Sequence, residues 1–517
     1  MPDPQPASST VTKATRREWI GLAVIALPCL LYSMDLTVLN LAVPQLTADL
    51  RPTAAQLLWI VDIYGFLIAG ALITMGTLGD RIGRRRLLMI GATAFGGASI
   101  LAAFSTSAEM LIAARAVLGL SAATLAPSTL SLISNMFHDP SERTFAIGVW
   151  IASFSAGGAI GPVAGGLLLT WFWWGSVFLI AVPVMVLLLV LAPLLLPEFR
   201  DPHAGRIDLL SAGLSLAAVL AIIFGIKHAA VHGPDLVATV ALGTGTALAV
   251  LFVRRQRRLA DPLIDLSLFR SAAFSMSLAV NVFGFFVAFG SFLLIAQYLQ
   301  LVLGLSPLAA GLWTAPSSLG FIGGSMLAPV LAARIRPALV MAGGLAIAAL
   351  GFAAVTQASG PNALAILVGG YIVLCLGLGP VFTLATDQIV GAAPPERAGS
   401  AAGLAETSSE LGGALGIALL GSLAAAVYRG VMDVSMPDGV PAAAAEIARD
   451  TAGGAIAESQ RLEGVLGAQV LSAARDAFAQ SFEVSMAVCA AVALLASLAA
   501  VLFMTRRGRT RTNEAGA

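Results

Sequence analysis

Ionisable residues inside long apolar runs of this sequence include Asp35, Asp62, Arg115, Asp387, Glu406 and Glu410. A charged side chain is costly to place in hydrocarbon, so such groups are kept mainly where they bind ions, protons or substrates. Each is therefore a candidate functional residue. Asp387 lies close to the polar segment 394–397, and for it we favour a structural ion pair over a substrate role.

Asp35 and Arg115 are expected at comparable depth in two different apolar helices. An acid beside an arginine stays ionised, and it binds a proton readily once the arginine moves away or the site dries. This behaviour is what a proton-coupling switch requires. The alternative is a static ion pair that holds the two helices together.

Glu406 and Glu410 are four residues apart, so they share one face of a helix. Two close carboxylates in a low dielectric do not both ionise cheaply; one binds a proton, or a cation binds both. We predict Glu410 as a proton-coupling residue and both glutamates as substrate-binding residues. The alternative for Glu406, near the inner end of its helix, is simple contact with cytoplasmic water.

Asp62 lies between Trp59 and Tyr64. A carboxylate flanked by aromatic faces suits an organic cation, so we predict these three residues as part of a substrate-binding site. The alternative is an aromatic belt at the membrane interface, with an acid near the level of the headgroups.

The composition places the chain in a membrane. Of 517 residues, 58% are hydrophobic and 11% charged, and the mean hydropathy is +0.90. Soluble domains carry about a quarter of charged residues. The three cysteines lie in apolar runs without metal-ligand spacing, and no phosphate-binding loop, HExxH or GxSxG motif is present. We therefore expect no enzyme, cofactor or nucleic-acid partner.

About twenty apolar residues cross a bilayer as a helix. The sequence has about fourteen such runs, which predicts an all-α polytopic membrane protein with these spans: 19–44, 54–79, 87–105, 108–136, 144–170, 174–197, 207–228, 235–253, 272–302, 308–332, 337–357, 362–390, 400–427 and 482–504. With both termini inside, 22 of the 29 lysines and arginines fall in cytoplasmic segments. This bias supports the topology.

A weak internal repeat indicates two halves. The basic turn within 76–91 resembles the one within 327–344, and repeated halves with a site between them are typical of transporters. We divide the chain into two six-helix lobes with an inserted helix pair and disordered or tail segments at both ends. The predicted parts are a disordered cytoplasmic segment 1–18, a lobe 19–200, the pair 201–258, a lobe 259–504 with an extracellular loop 428–481, and a cytoplasmic tail 505–517.

Span 5 contains the sequence GGAIGPVAGG at 157–166. Its small residues recur at helical spacing, which allows close helix approach, and its proline frees a backbone carbonyl and bends the helix. The residues that we assign to this motif are Gly157, Gly161, Pro162, Gly165 and Gly166.

Several motifs together resemble the fourteen-span drug:proton antiporters of the major facilitator superfamily. GTLGDRIGRRR (76–86) resembles the superfamily signature, with Gly76, Asp80, Arg81, Gly83 and Arg84 in register. LIAARAVLGLSAA (111–123) resembles the span-4 motif, and GAIGPVAGG the antiporter motif of span 5. The fourteen-span group is indicated by 34–46, 59–70 and 405–422. One departure is the lack of an acid in 313–326, which argues against strong selection for dications.

The resemblance implies alternating access between two lobes, proton entry at Asp35 and a cytoplasmic latch at Asp80 and Arg84. It predicts a proton-driven exporter of small cationic or amphipathic compounds such as antiseptics, dyes and antibiotics. The expected protein is a monomer in the plasma (inner) membrane, without a cofactor. Two other functions stay open: a dedicated exporter of one natural product or metabolite, and a non-transporting receptor or scaffold, which intact intramembrane acids argue against.

Overall fold

The computed structural model describes residues 13–200, 208–233, 235–259, 262–462 and 464–514. The predicted N-terminal segment thus lies mainly outside the described residues. The first nine helices are α1 (Arg16–Leu50), α2 (Ala54–Ile82), α3 (Arg84–Ala103), α4 (Ala108–Met136), α5 (Pro140–Trp171), α6 (Ser176–Leu179), α7 (Ala181–Leu195), α8 (Leu209–His232) and α9 (Leu236–Gln256). The others are α10 (Ala272–Gln297), α11 (Pro307–Ala332), α12 (Pro337–Val355), α13 (Ala363–Gly391), α14 (Ala398–Ser435), α15 (Ala442–Asp450), α16 (Ala452–Arg461) and α17 (Val465–Glu514).

The fourteen predicted spans are confirmed. In the described part of the chain, fourteen helical segments are long and apolar enough to cross a membrane. Helices α6 and α7 together form the sixth segment, α8 to α14 the seventh to thirteenth, and α17 the fourteenth. A π-helical turn, Tyr298–Val302, ends α10.

Polar caps mark where the helices begin. Thr15 and Thr53 form capping boxes with Glu18 and Gln56 at the starts of α1 and α2. Each threonine accepts a hydrogen bond from a first-turn amide that has no partner within the helix, which stabilises the helix start. These caps explain why α1 begins three residues before its predicted span.

The segment 428–481 is shorter as a connection than the sequence indicates. Helix α14 continues to Ser435 and α17 already begins at Val465, so both extend past their apolar runs. Between them lie the short helices α15 and α16, which pack against each other, and α16 also packs against α17. Hydropathy detects only the length of a helix that crosses the membrane, so the polar ends of α14 and α17 were not predicted.

Helix packing separates the chain into groups. Helix α1 packs on α5 and α2 on α4, while α10 packs on α14 and α13 on both α11 and α12. Helices α8 and α9 pack on each other, and α8 also contacts α2 and α14. The last contact matters most for function, because α8 lies over the seam between helices from the two halves of the chain.

Candidate functional site

Asp35 and Arg115 form a direct ion pair in the interior. Arg115 Nη1 lies 2.5 Å from Asp35 Oδ2, and the arginine side chain is 1% exposed. Arg115 Nε also donates to the carbonyl of Ile60 at 3.1 Å. Helices α1, α2 and α4 thus meet at one buried cation. The predicted proximity of the acid and the arginine is present in the structure.

Two tyrosines continue this cluster towards α14. The guanidinium of Arg115 lies 4.5 Å from the centroid of the Tyr64 ring, and the rings of Tyr64 and Tyr32 are 6.2 Å apart. The Tyr32 hydroxyl donates to Glu410 Oε1 at 2.8 Å. The cluster therefore runs from Asp35 in the first half of the chain to Glu410 in the second half.

Tyr64 occupies the middle of this cluster. It is fully buried, and among the described residues its hydroxyl has no hydrogen-bond partner. Its ring is also within electrostatic reach of Asp35 and Glu410. An unpaired hydroxyl between two acids is a position where a proton or a water molecule can be held.

Glu406 lies one turn before Glu410 on the same face of α14, as its spacing predicts. Both side chains are half-buried, and their charges are close enough to interact. Glu406 also lies within electrostatic range of Tyr32 of α1. The pair therefore faces the first half of the chain.

Asp62 has a different environment from the one predicted. Its Oδ1 accepts from Lys227 Nζ of α8 at 2.8 Å, and the same ammonium lies 4.7 Å from the centroid of Phe66. Tyr64 instead faces Arg115, because residues two apart point to nearly opposite sides of a helix. Trp59 is 47% exposed and contacts Phe66, with ring centroids 6.4 Å apart. The aromatic neighbour of the Asp62 site is thus Phe66.

The glycine motif of α5 packs on α1, the helix that holds Asp35. A Cβ at Gly157 would lie 2.2 Å from the carbonyl oxygen of Leu30, and one at Gly165 would lie 2.8 Å from Val38. Gly161 is buried between them, whereas a Cβ at Gly166 would meet nothing within 4 Å. The side chain of Pro162 lies outside the described atoms.

Asp80 joins the two halves of the chain at the arginine-rich end of the bundle. Its carboxylate accepts from Arg84 Nη2 at 2.7 Å and from the amides of Gly399 and Ser400 at 3.0 and 2.9 Å. The amides belong to the first turn of α14, where a negative charge also meets the positive end of the helix dipole. Arg84 Nη2 donates in addition to the carbonyl of Pro395 at 2.6 Å.

Two glycines allow this contact. A Cβ at Gly76 would lie 2.2 Å from the carbonyl oxygen of Gly399, so only glycine lets α2 approach α14 so closely. Gly83 has φ +107° between α2 and α3, a conformation that other residues rarely adopt. Arg81 is half-buried at the same turn.

The backbone of Leu263 lies next to this contact. Its N–H donates to Gln256 Oε1 of α9 at 2.7 Å, and its carbonyl accepts from Thr77 and Ser400 at 3.2 and 2.8 Å. The backbone of this one buried residue is therefore bonded to α2, α9 and α14. The connection after α9 is held between both halves of the chain.

Asp387 forms an ion pair, as we favoured, but its partner is Arg143 of α5 and not the segment 394–397. Its Oδ1 accepts from Arg143 Nε at 2.7 Å and its Oδ2 from Thr144 at 2.9 Å. This contact joins α5 to α13, again across the two halves. A search of the described residues finds no group of three or more metal-ligating side chains.

Sequence reasoning missed four of these residues: Tyr32, Phe66, Arg143 and Lys227. Tyr32 is one of five tyrosines in the chain and lies one turn from Asp35, which is a usable signal. Lys227 is one of the seven lysines and arginines outside the predicted cytoplasmic segments, and a cation inside an apolar run marks a functional site as well as an acid does.

Residues 25–417 match the sequence profile of the Major Facilitator Superfamily. The chain is 43% identical over 498 residues to the multidrug efflux pump LfrA of Mycolicibacterium smegmatis, covering 96% of this chain and 98% of that protein. It is 36% identical to the methyl viologen resistance protein SmvA of Salmonella typhimurium, covering 93% and 97%. The fold is similar to that of the human organic anion transporter MFSD10, with TM-score 0.60, 14% identity and coverage of 95% and 100%. The chain therefore belongs to the Major Facilitator Superfamily, and within it to the group of multidrug efflux proteins.

Proposed function

We propose that this protein is a proton-coupled antiporter that exports small cationic or amphipathic compounds. One observation carries the proposal: the buried cluster from Asp35 through Arg115, Tyr64 and Tyr32 to Glu410 crosses from one half of the chain to the other. A proton bound at one end changes the charge balance along the whole cluster. The names of the relatives, a multidrug efflux pump and a resistance protein, support export of drugs.

The coupling step begins at Asp35. When a proton neutralises this carboxylate, Arg115 loses its charged partner and can rearrange, because an ion pair in a low dielectric is held mainly by its charge. Arg115 also touches the Tyr64 ring, which faces Tyr32, the donor to Glu410. Protonation of α1 therefore alters the surroundings of the α14 carboxylates.

Substrate cations would be neutralised by Glu410 and Glu406. An organic cation entering an apolar site needs a nearby carboxylate to offset its lost hydration. A proton and a cation then compete for Glu410, which exchanges one for the other by mass action. Asp62 with Phe66 offers a second carboxylate beside an aromatic face.

Alternating access would proceed by rocking of lobes 19–200 and 259–504, with the pair 201–258 between them. The contacts of Asp80, Arg84 and Asp387 close the arginine-rich end in this conformation. We assign that end to the cytoplasm, together with both termini, since basic residues favour the inner side. The protein would act as a monomer in the plasma (inner) membrane, without a cofactor.

Glu410→Gln tests this function most directly. Purified protein is titrated with a fluorescent monocationic dye between pH 5 and 9, and efflux of the same dye and of a neutral compound is measured in a pump-deficient host. We expect the variant to lose dye affinity and dye efflux, with smaller loss for the neutral compound. Glu406→Gln should have a milder, more substrate-dependent effect.

Equal dye affinity of wild type and Glu410→Gln at every pH would refute the role of Glu410. Wild-type efflux that persists after the proton gradient is collapsed would refute proton coupling. Export of a single metabolite, with no dye or drug accepted, would instead support the dedicated exporter.

A further inference from the structure

Lys227 occupies the position that an organic cation would take at Asp62. Its ammonium is 2.8 Å from the carboxylate and 4.7 Å from the Phe66 ring centroid. Ammonium ligands are bound by two features, a nearby carboxylate and an aromatic face. The site predicted for a substrate is therefore filled by a side chain of the protein itself.

The residue type supports this interpretation. The chain has 29 basic residues, of which only Lys13 and Lys227 are lysines. Arginine forms the ion pairs with Asp35, Asp80 and Asp387 through its planar guanidinium. Lysine presents a compact ammonium on a flexible stem, which binds less specifically and leaves more easily. For a fixed contact with Asp62, an arginine would serve better than a lysine.

The location of Lys227 places it beside the proposed route. Helix α8 lies over the seam between α2 and α14, and a Cβ at Gly70 of α2 would lie 2.5 Å from Leu216, so the helices pack closely. The ammonium also lies within electrostatic range of Glu410. Lys227 is 40% exposed and Asp62 23% exposed, so both can be reached without unfolding.

We propose that Lys227 is a tethered counter-cation, which holds the Asp62–Phe66 site until an organic cation displaces it and so determines which cations the protein accepts. The inference rests on the proposed export of cations. Weakly binding cations would fail to displace the ammonium. Flat aromatic cations would displace it, because their binding to Phe66 is stronger than the contact that Lys227 gives up. After release, the returning ammonium would prevent rebinding.

The test is a double-mutant cycle on purified protein with ethidium as the probe. Lys227→Met keeps the length of the apolar stem and removes the charge. Because the tethered contact has the strength of a part-exposed ion pair with a cation–π contact, we expect ethidium to bind about fivefold more tightly to this variant. In an Asp62→Asn background the same substitution should change the affinity little. Lys227→Arg, which keeps the charge and whose guanidinium holds a carboxylate more firmly, should bind ethidium no more tightly than wild type.

A purely structural lysine gives a different result. Lys227→Met would then lower the melting temperature and leave ethidium affinity unchanged or weaker, and this outcome would overturn the inference. A fivefold gain that persists in Asp62→Asn would also overturn it, since the effect would not act through Asp62. If neither the wild type nor any variant binds ethidium, both the cation-export function and the inference are refuted. If Lys227→Met binds ethidium as the wild type does and efflux is intact, only the inference is refuted.

Discussion

The hydroxyl of Tyr32 donates to Glu410 Oε1 at 2.8 Å, although the two residues are 378 positions apart. Tyr32 belongs to α1, the helix of Asp35, and Glu410 to α14. The bond therefore links the proposed proton site of one lobe to the proposed substrate site of the other. Removing the Tyr32 hydroxyl therefore tests whether the two sites are coupled.

Tyr32→Phe removes this donor and keeps the ring, which packs on Phe154 with centroids 5.4 Å apart. A hydrogen bond to a charged acceptor contributes about 1.5–3 kcal/mol, so an ionised Glu410 becomes less stable without it. We expect the affinity for a cationic dye to fall about tenfold or more. Equilibrium dye titration at pH 8 measures the change.

Tyr428→Phe is the matched control for Tyr32→Phe. It removes a hydroxyl on α14 whose bond to the carbonyl of Ala448 is also 2.8 Å long, but which lies towards α15. Dye affinity should be unchanged in this variant. Similar losses in both variants would mean that general destabilisation, and not the contact with Glu410, is responsible.

Asp35→Asn should abolish export driven by a proton gradient while the protein still folds and inserts, since amide and carboxylic acid are nearly isosteric. The amide still accepts from Arg115 but does not take up a proton. The loss is measured as reduced dye uptake into inverted membrane vesicles whose lumen is acidic. Asp49→Asn, on the same helix and bonded to Trp174 at 2.8 Å, should keep wild-type coupling. Gradient-driven pumping at the wild-type rate in Asp35→Asn would exclude this residue as the coupling site.

Gly157→Ala should reduce transport strongly, because its Cβ would lie 2.2 Å from the Leu30 carbonyl and would push α5 away from α1. Such overpacking costs about 1–3 kcal/mol. Gly166→Ala is the control, since no atom lies within 4 Å of that Cβ position. Efflux rate and melting temperature are compared in both variants. Equal rates would show that close approach of α5 to α1 is not needed for transport.

Asp208 at the start of α8 predicts a pH dependence of stability. The hydrogen bond from Arg255, with a further one from Ser211, holds the pKa of Asp208 well below its usual range. A lowered pKa in the folded state stabilises the protein above the unfolded value of about 3.9, and this contribution is lost as the pH falls further.

Asp208→Asn should therefore lower the melting temperature at pH 7 by a small amount, on the order of 1 °C, since the pair is part-exposed. The difference from wild type should be constant between pH 8 and 5 and should shrink below about pH 4. Differential scanning fluorimetry in detergent measures it. A difference of the same size at pH 3 would show that the charge of Asp208 is not its cause.

The membrane-spanning helices were predictable from the sequence, because the hydrocarbon core of a bilayer requires them. Apolar runs of sufficient length indicate the spans, and the spacing of Glu406 and Glu410 indicates their common face. The contact of Tyr32 with Glu410 was not predictable, because it depends on the register between two helices that no local pattern encodes. The pairing of Asp62 with Lys227 depends on where α8 docks. The polar ends of α14 and α17 lie outside lipid, so hydropathy carries no signal for them.

The backbone bonds of Leu263 connect the end of α9 to the helices around it. Excision of α8 and α9 to obtain a twelve-helix transporter would remove Gln256, the acceptor for the Leu263 amide, and leave a buried N–H without a partner. It would also displace the carbonyl that Thr77 and Ser400 share. Removal of these two helices would thus require compensating changes in the flanking helices.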